Sequence, residues 1–501
     1  MREIIRPQIA LGERPMGEIK LDPQSRDDMP KLLVGLQYLY VTPALREEVC
    51  AILQEIIPQR ADGRQANRTL GRPGMAQWKS LVLGVLRLGL DADYDRLQEL
   101  ANQPQTIRPM LGHGDGADTH RYQLQTLKDN RRLFTAELLE RINAVVVRAG
   151  HTRLKKSPED ALRGRCDSLV VETDVPFPTA INRLYDAIRK TLETRAALSE
   201  AHGLGGWRQS AYHLRQFQKQ YRVIQQRKHS TSHDDAQRAA PPADLPAAHA
   251  VSLEQAEGSL ARARQTGTHV LRVPGVWPWE VAALDGYLAP AERQIDQIRR
   301  RVLQGAVIPH AAKVCSMFQP PTEWISKGKA GVPVELGLRV CLLEDQHRFI
   351  LHHPVMEKQT DDQVAVRMID ESQQRFPTLP AVSCDQGFHR PANRRDLAQR
   401  LALVAMPKKG RRSVADQARA SAPAFVHARQ PHSAVESAIN GLEHVGLDLC
   451  PDHGIVGFKR YVALAVLARN LHRLGVVVRE REARATPSTR ASVPKLHAKA
   501  A

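Results

Sequence analysis

The chain has no uninterrupted apolar run approaching the roughly 20 residues that cross a bilayer. Its opening residues, MREIIRPQIALGERP, lack the apolar stretch of a secretion signal. It also lacks paired cysteines. Six of them (Cys50, Cys166, Cys315, Cys341, Cys384 and Cys450) are scattered over 501 residues without a CxxC. That argues against a disulfide framework and fits free thiols in a reducing compartment. Cys450 and His453, in CPDHG, have a spacing seen in metal sites, but no second ligand pair accompanies them and a loop accounts for them. Acid is in short supply: 54 Asp and Glu stand against 72 Lys and Arg, a net charge of +18. Such a surplus points to a polyanionic partner, and nucleic acid is the commonest. No strongly apolar basic helix supports a membrane surface instead. The expected location is the cytoplasm.

What is present is mostly helical text. Residues 1–30 read as a flexible N-terminus. Residues 31–57 carry two helices, and 58–74 form an arginine-rich loop. Trp78, Leu81, Val82, Val85 and Leu86 follow helical spacing, DADYD caps the next helix, and a third follows Pro104. Three short helices in a basic setting predict a helix-turn-helix-like, DNA-binding region over 31–150. Further helices are expected near 119–129, 134–148, 178–193 and 284–305. A linker is expected at 229–250, and a disordered basic tail from 476.

Strand patterns interrupt this text. SLVVETDVPFP, from Ser168 to Pro178, is an apolar run that ends in Glu172 and Asp174. KVCSMF, PVELGLRVCLLED and RFILHHPVM follow as strands, the last two joined by a hairpin at EDQH. AVSCD is a short strand ending at Asp385, and ALVAMPKKG another. HSAVESAINGLEHVGL is a later helix carrying Glu436 and Glu443. Acids at strand ends on one sheet edge, with an acid on a neighbouring helix, suit two Mg²⁺ ions about 4 Å apart for displacement at phosphorus. Each acid alone also fits a turn or a solvated helix face. Asp361 and Asp362 read as N-caps, and His389 as a possible phosphate contact. Lys327 and Lys329, the PKKGRR group Lys408, Lys409, Arg411 and Arg412, and Lys459 on the last helix are the candidate DNA-binding cations.

The segments ETDVPFPTAINRLYDAIRK, EWISKGKAGVPVELGLRVCLLEDQHRFILHH, SCDQGFHRPANRRDL and HSAVESAINGLEHVGLDLCPDHG resemble an insertion-sequence transposase of the DDE type, most similar to the ISNCY group, over about residues 75–475. The resemblance implies an α/β fold with an RNase H-like mixed sheet and flanking helices. The catalytic domain would occupy 165–195 and 310–475, with a helical insertion at 196–309 and an all-α N-terminal region. It implies a bacterial, nucleoid-associated enzyme whose metal-binding acids fall on Asp174, Asp385 and Glu436. Two Mg²⁺ ions, or Mn²⁺, would serve cleavage at double-stranded element ends and strand transfer into target DNA, carried out by a dimer or larger assembly. The alternatives are an inactive DNA-binding remnant and an RNase H-like nuclease without strand transfer.

Overall fold

The structure is a computed structural model. It describes residues 4–485 apart from 6–13, 23–24, 57–73, 104–105, 115–119, 155–156, 158–159, 177–178, 204, 206, 208, 229–243, 275–276, 310–311, 314 and 327–333. Most of the arginine-rich loop, most of the expected linker, and both Lys327 and Lys329 therefore lie outside the described residues. The described chain divides into two compact units, one of residues 1–172 and 338–501 and the other of residues 173–337.

Seven helices open the first unit: α1 (Asp28–Val41), α2 (Pro43–Gln54), α3 (Gln77–Gly89), α4 (Tyr94–Asn102), α5 (Ile107–Met110), α6 (Leu124–Arg131) and α7 (Ala136–Leu154). Their starts are chemically marked. The Asp27 carboxylate accepts from the Met29 N–H, and Asp93 accepts from the Arg96 N–H at 2.7 Å. Both satisfy donors that a first helical turn leaves unpaired. The expected three short helices are present, but α3 is buried along most of its length. The third, α5, is a single turn with Ile107, Pro109 and Met110 buried. Between them, α4 buries Leu97 and Ala101 and leaves Asp95, Arg96 and Glu99 exposed.

Strand β1 (Arg163–Thr173) follows and begins five residues before the apolar run that announces it. The chain then builds the second unit. Helices α8 (Ala180–Ala201), α9 (Ser210–Lys228), α10 (Leu245–Val270) and α11 (Pro278–Ile298) share a separate core that includes Ile188, Phe217, Leu260 and Ile295. The Thr179 side chain caps α8 by accepting from Asn182 N–H. Arg195, fully buried, pairs with Asp285 at 2.7 Å. Residues 244–250, expected as linker, open α10. KVCSMF forms no strand among its described residues; the strand of this unit is β2 (Glu323–Ser326), antiparallel to Val334–Gly337.

On returning to the first unit the chain adds β3 (Val334–Asp345), β4 (Ile350–His352), β5 (Val355–Met356), α12 (Asp361–Arg375), β6 (Ala381–Cys384), α13 (Pro391–Arg400), β7 (Leu403–Ala405), α14 (Val414–Ala420), α15 (Pro423–Arg429), α16 (Ala434–Leu442), β8 (Leu449–Cys450) and α17 (Gly454–Ala485). The sheet order is β2-β3-β1-β6-β7, with β4 and β5 paired to β3 and β8 to β1. β4 and β5 run antiparallel to β3, whereas β6 is parallel to β1 and β7 to β6. This is a mixed sheet with helices packed around it, as expected. The EDQH hairpin is present: Asp345 Oδ1 accepts from the N–H of His347 at 2.8 Å and of Phe349 at 3.0 Å.

Helix α17 packs against α1, α3 and α7 and gathers one apolar core from the helical block and the sheet. By length and composition it is apolar enough to span a membrane, which a search for uninterrupted apolar runs misses; 78% of that stretch is buried inside the protein. It runs through Ala485, so residues 476–485, expected as tail, are helical. α1 and α17 approach at glycines: a Cβ on Gly475 would overlap the Lys31 carbonyl oxygen, and one on Gly35 the Leu471 carbonyl oxygen.

Candidate active site

The parallel pairing of β1 and β6 fixes the centre of the site. Their register runs from Arg163 opposite Ala381 to Cys166 opposite Cys384. Asp385 N–H donates to Cys166 O at 3.3 Å, which extends the ladder by one step. The next residue of β1 is Asp167. The sheet thus brings Asp167 and Asp385 to neighbouring positions on adjacent strands, where parallel partners carry side chains on the same face.

The electrostatics agree with this placement. Burial raises the Asp167 carboxyl to about 6. The Ser168 backbone opposes the rise, and the charges of Asp385, Asp361 and Glu436 add to it. Three carboxylates from three other elements therefore act on the fourth. Asp361, in the first turn of α12, is also shifted upward, first by burial and then by Asp385 and Asp362, against the pull of Ser168 and Arg339. One oxygen of Asp361 is buried without a hydrogen-bond partner. A Cβ on Gly387 would sit 2.7 Å from the other, so glycine at 387 leaves room for this carboxylate beside Asp385. Neither Asp361 nor Asp362 is the N-cap. That position is Thr360, whose N–H donates to the Gln363 side chain at 2.9 Å, and Asp362 pairs with Arg390.

The chain before α16, the helix that carries Glu436, is clasped to both strands. Arg429 donates to Cys384 O at 2.9 Å, and His432 Nδ1 shares a hydrogen bond with Ser383 Oγ at 3.0 Å. Arg165, two residues before Asp167, donates to Pro431 O at 3.1 Å and to Asp345 O at 2.6 Å, and it pairs with Glu344 at 2.9 Å. Burial, then Arg429, holds the His432 imidazole down at about 4, with Asp385 acting the other way, so it is neutral near pH 7.

The expected acids divide accordingly. Asp385 and Glu436 belong to one unit and act on a shared neighbour. Asp174 is exposed and lies in the second unit. Glu172, the other acid at the end of β1, is exposed five residues beyond Asp167, roughly 16 Å at strand rise. Glu443 is exposed in the irregular turn after α16. In the sequence, Arg163, Arg165 and Asp167 interrupt the apolar pattern that marks the rest of β1. The signal that remained for Asp167 was its position on a strand next to the one ending at Asp385. Among the described residues no group of three or more His, Cys, Asp or Glu stands close enough to hold a metal ion.

The expected DNA-binding cations have mixed placements. Lys408 pairs with Asp416 at 2.6 Å, and Lys459 with Glu357 at 2.6 Å. Lys409, Arg411 and Arg412 are exposed on the loop after β7. Burial, together with Arg394 and Lys408, lowers the His389 imidazole below its ordinary value. Cys450 is a buried free thiol. Asp452 beside it is held by Arg131 through two hydrogen bonds. Comparison of the chain with family models, with curated proteins and with solved structures gives no match.

Proposed function

We propose that the chain is a DNA transposase of the DDE type, with an RNase H-like catalytic sheet whose acids are Asp167, Asp385 and Glu436. Asp167 takes the place that the sequence reading gave to Asp174. The observation that carries this is the register that sets Asp167 beside Asp385 on adjacent parallel strands, with the charges of Asp385 and Glu436 both raising the Asp167 carboxyl. The order of elements supports it: a central strand bearing an acid, a hairpin, a parallel strand ending in an acid, then a helix with a glutamate in its first turn.

The donor types suit a hard divalent cation, because Asp167, Asp385 and Glu436 offer carboxylate oxygens and Asp361 adds a buried oxygen without a partner, although these groups would have to draw closer together to share one. When bound there, Mg²⁺ or Mn²⁺ supplies Lewis-acid activation of an attacking oxygen and charge stabilisation of a leaving one. The protein's own groups do the rest. Asp167 and Asp385 would hold the cation, and Glu436, exposed, would accept the proton of the nucleophile. In the first step a water oxygen bonds to phosphorus and the 3′ oxygen leaves, giving a 3′-hydroxyl and a 5′-phosphate. In the second, that hydroxyl attacks a target phosphodiester, forming one P–O bond and breaking another. The cations on the loop after β7 neutralise backbone phosphates.

The test is cleavage and strand transfer on DNA carrying the ends of the element, with Mg²⁺ or Mn²⁺. Asp167→Asn, Asp385→Asn and Glu436→Gln should each lower the rate at least about a hundredfold while DNA affinity stays within a few-fold. Asp174→Asn should retain activity. Full activity in Asp167→Asn, or no joined product from pre-cleaved ends, would reject this reading.

A further inference from the structure

Beside Asp385 lies a cavity of about 340 Å³, walled by α13, the loop after β7, and α14 and α15. Its lining is strongly cationic. Arg394, Lys408, Arg412, Arg419 and Arg429 face two carboxylates, Asp385 and Asp416, and His389 is held toward neutrality. The excess is three positive charges in a space at the small end of ligand pockets.

Four of these cations, Arg394, Lys408, Arg419 and Arg429, are held in place. Asp416 caps α14 through Ser413 and pairs with Lys408 at 2.6 Å, Arg394 at 3.5 Å and Arg419. Arg429 is fixed by its bond to Cys384 O. Lys408 is also set from behind, since its own carbonyl accepts from Gln386, the residue after Asp385, at 3.2 Å. Arg412 is exposed on the rim. A cluster of guanidinium and ammonium groups already ordered before an anion arrives loses little freedom when it binds.

We propose that this cavity binds a phosphate monoester at the 5′ end of a DNA strand, the end that a cut at Asp385 leaves behind. The proposal rests on the reading given above and names the product that reading requires. A monoester carries close to two negative charges, against one for a diester, so it answers a surplus of three better. Retaining the 5′-phosphate would keep the flanking strand beside the site after cleavage.

The experiment is equilibrium binding of the full chain to short DNA duplexes that differ only in one end: 5′-phosphate, 5′-hydroxyl or 3′-phosphate. The 5′-phosphate duplex should bind about tenfold tighter than the other two, the worth of one charge-assisted hydrogen bond. Arg412→Ala and Arg394→Ala should bring that ratio close to one, and Arg412→Lys should restore part of it. A general loss of charge weakens all three duplexes alike and leaves the ratio unchanged. Equal binding of the three ends by the unsubstituted protein would overturn the proposal, as would a ratio indifferent to both substitutions. A nucleoside monophosphate or inorganic phosphate that displaces the duplex at a comparable concentration would assign the cavity to a small phosphate ligand instead. Cleavage without end preference rejects only the cavity's role, whereas loss of all DNA binding and cleavage rejects the transposase reading as well.

Discussion

His353 shows how a single side chain sets part of the pH response. It lies between β4 and β5, is almost wholly buried, and neither ring nitrogen has a hydrogen-bond partner. Burial lowers its imidazole to about 4, with Glu140 acting the other way. A histidine with a depressed folded value resists protonation that the unfolded chain accepts. Stability is therefore complete above pH 6.5 and declines as pH falls from there toward 4, by up to about 3 kcal/mol. His353→Leu should flatten this decline in thermal melts between pH 7 and 4.5, and it should raise stability at pH 7 by removing two unpaired buried polar atoms. A melt whose acid limb is unchanged by the substitution would count against the assignment. Gly150 gives a steric counterpart: a Cβ there would fall 2.6 to 2.9 Å from ring atoms of Phe349. Gly150→Ala should cost about 1–3 kcal/mol by overpacking, read as a lower denaturation midpoint.

At the level of elements, the position of α16 depends on the clasp to β1 and β6 more than on the helix itself. Arg165 is buried and bridges β1, the end of β3 and the turn before α16. Its ion-pair partner Glu344 is pushed up to about 7, chiefly by burial and by Asp345, with Arg165 opposing. Removing the arginine leaves that carboxyl buried without its cation, and such breaks cost about 3–5 kcal/mol. Arg165→Met should therefore destabilise the protein, and the loss should shrink as pH falls below 7 and Glu344 takes up a proton. His432→Ala is the milder test. It releases one hydrogen bond of the clasp, so the cleavage rate should drop while DNA affinity holds. A rate unchanged in His432→Ala would show that α16 is held by packing alone. The close crossing of α1 and α17 belongs to the same scale, because Gly35 and Gly475 let two backbones touch where any side chain would part them.

For the whole molecule, charge and core organisation make separate predictions. A net charge of +18 with exposed cations on the loop after β7 should give DNA affinity that falls steeply with salt, with a slope in log–log form close to the number of phosphates contacted. Lys409→Ala with Arg411→Ala should make that slope shallower by one to two. Each unit has its own apolar core, one centred on α17 and the sheet and one within α8–α11. Calorimetry should resolve more than one transition, or give a calorimetric enthalpy above the van't Hoff value. A single two-state transition would mean that the two cores unfold as one.

The sequence by itself determined most helices, because their apolar spacing, caps and breakers are local: Asp93 before α4 and Thr179 before α8 announce themselves without tertiary help. It also determined the strand endings at Asp385 and the hairpin at Asp345, and placed Glu436 at a helix start. It did not determine where β1 begins. Arg163, Arg165 and Asp167 look like a loop in one dimension, and only pairing with β6 and the buried contacts of Arg165 make them strand. Nor did it show α14 and α15, whose short runs carry little periodicity and whose place is set by Asp416 and by the clasp to β6. Which acid of β1 lies beside Asp385 is therefore a question of register, and register is decided by which residues hydrogen-bond across strands more than two hundred positions apart.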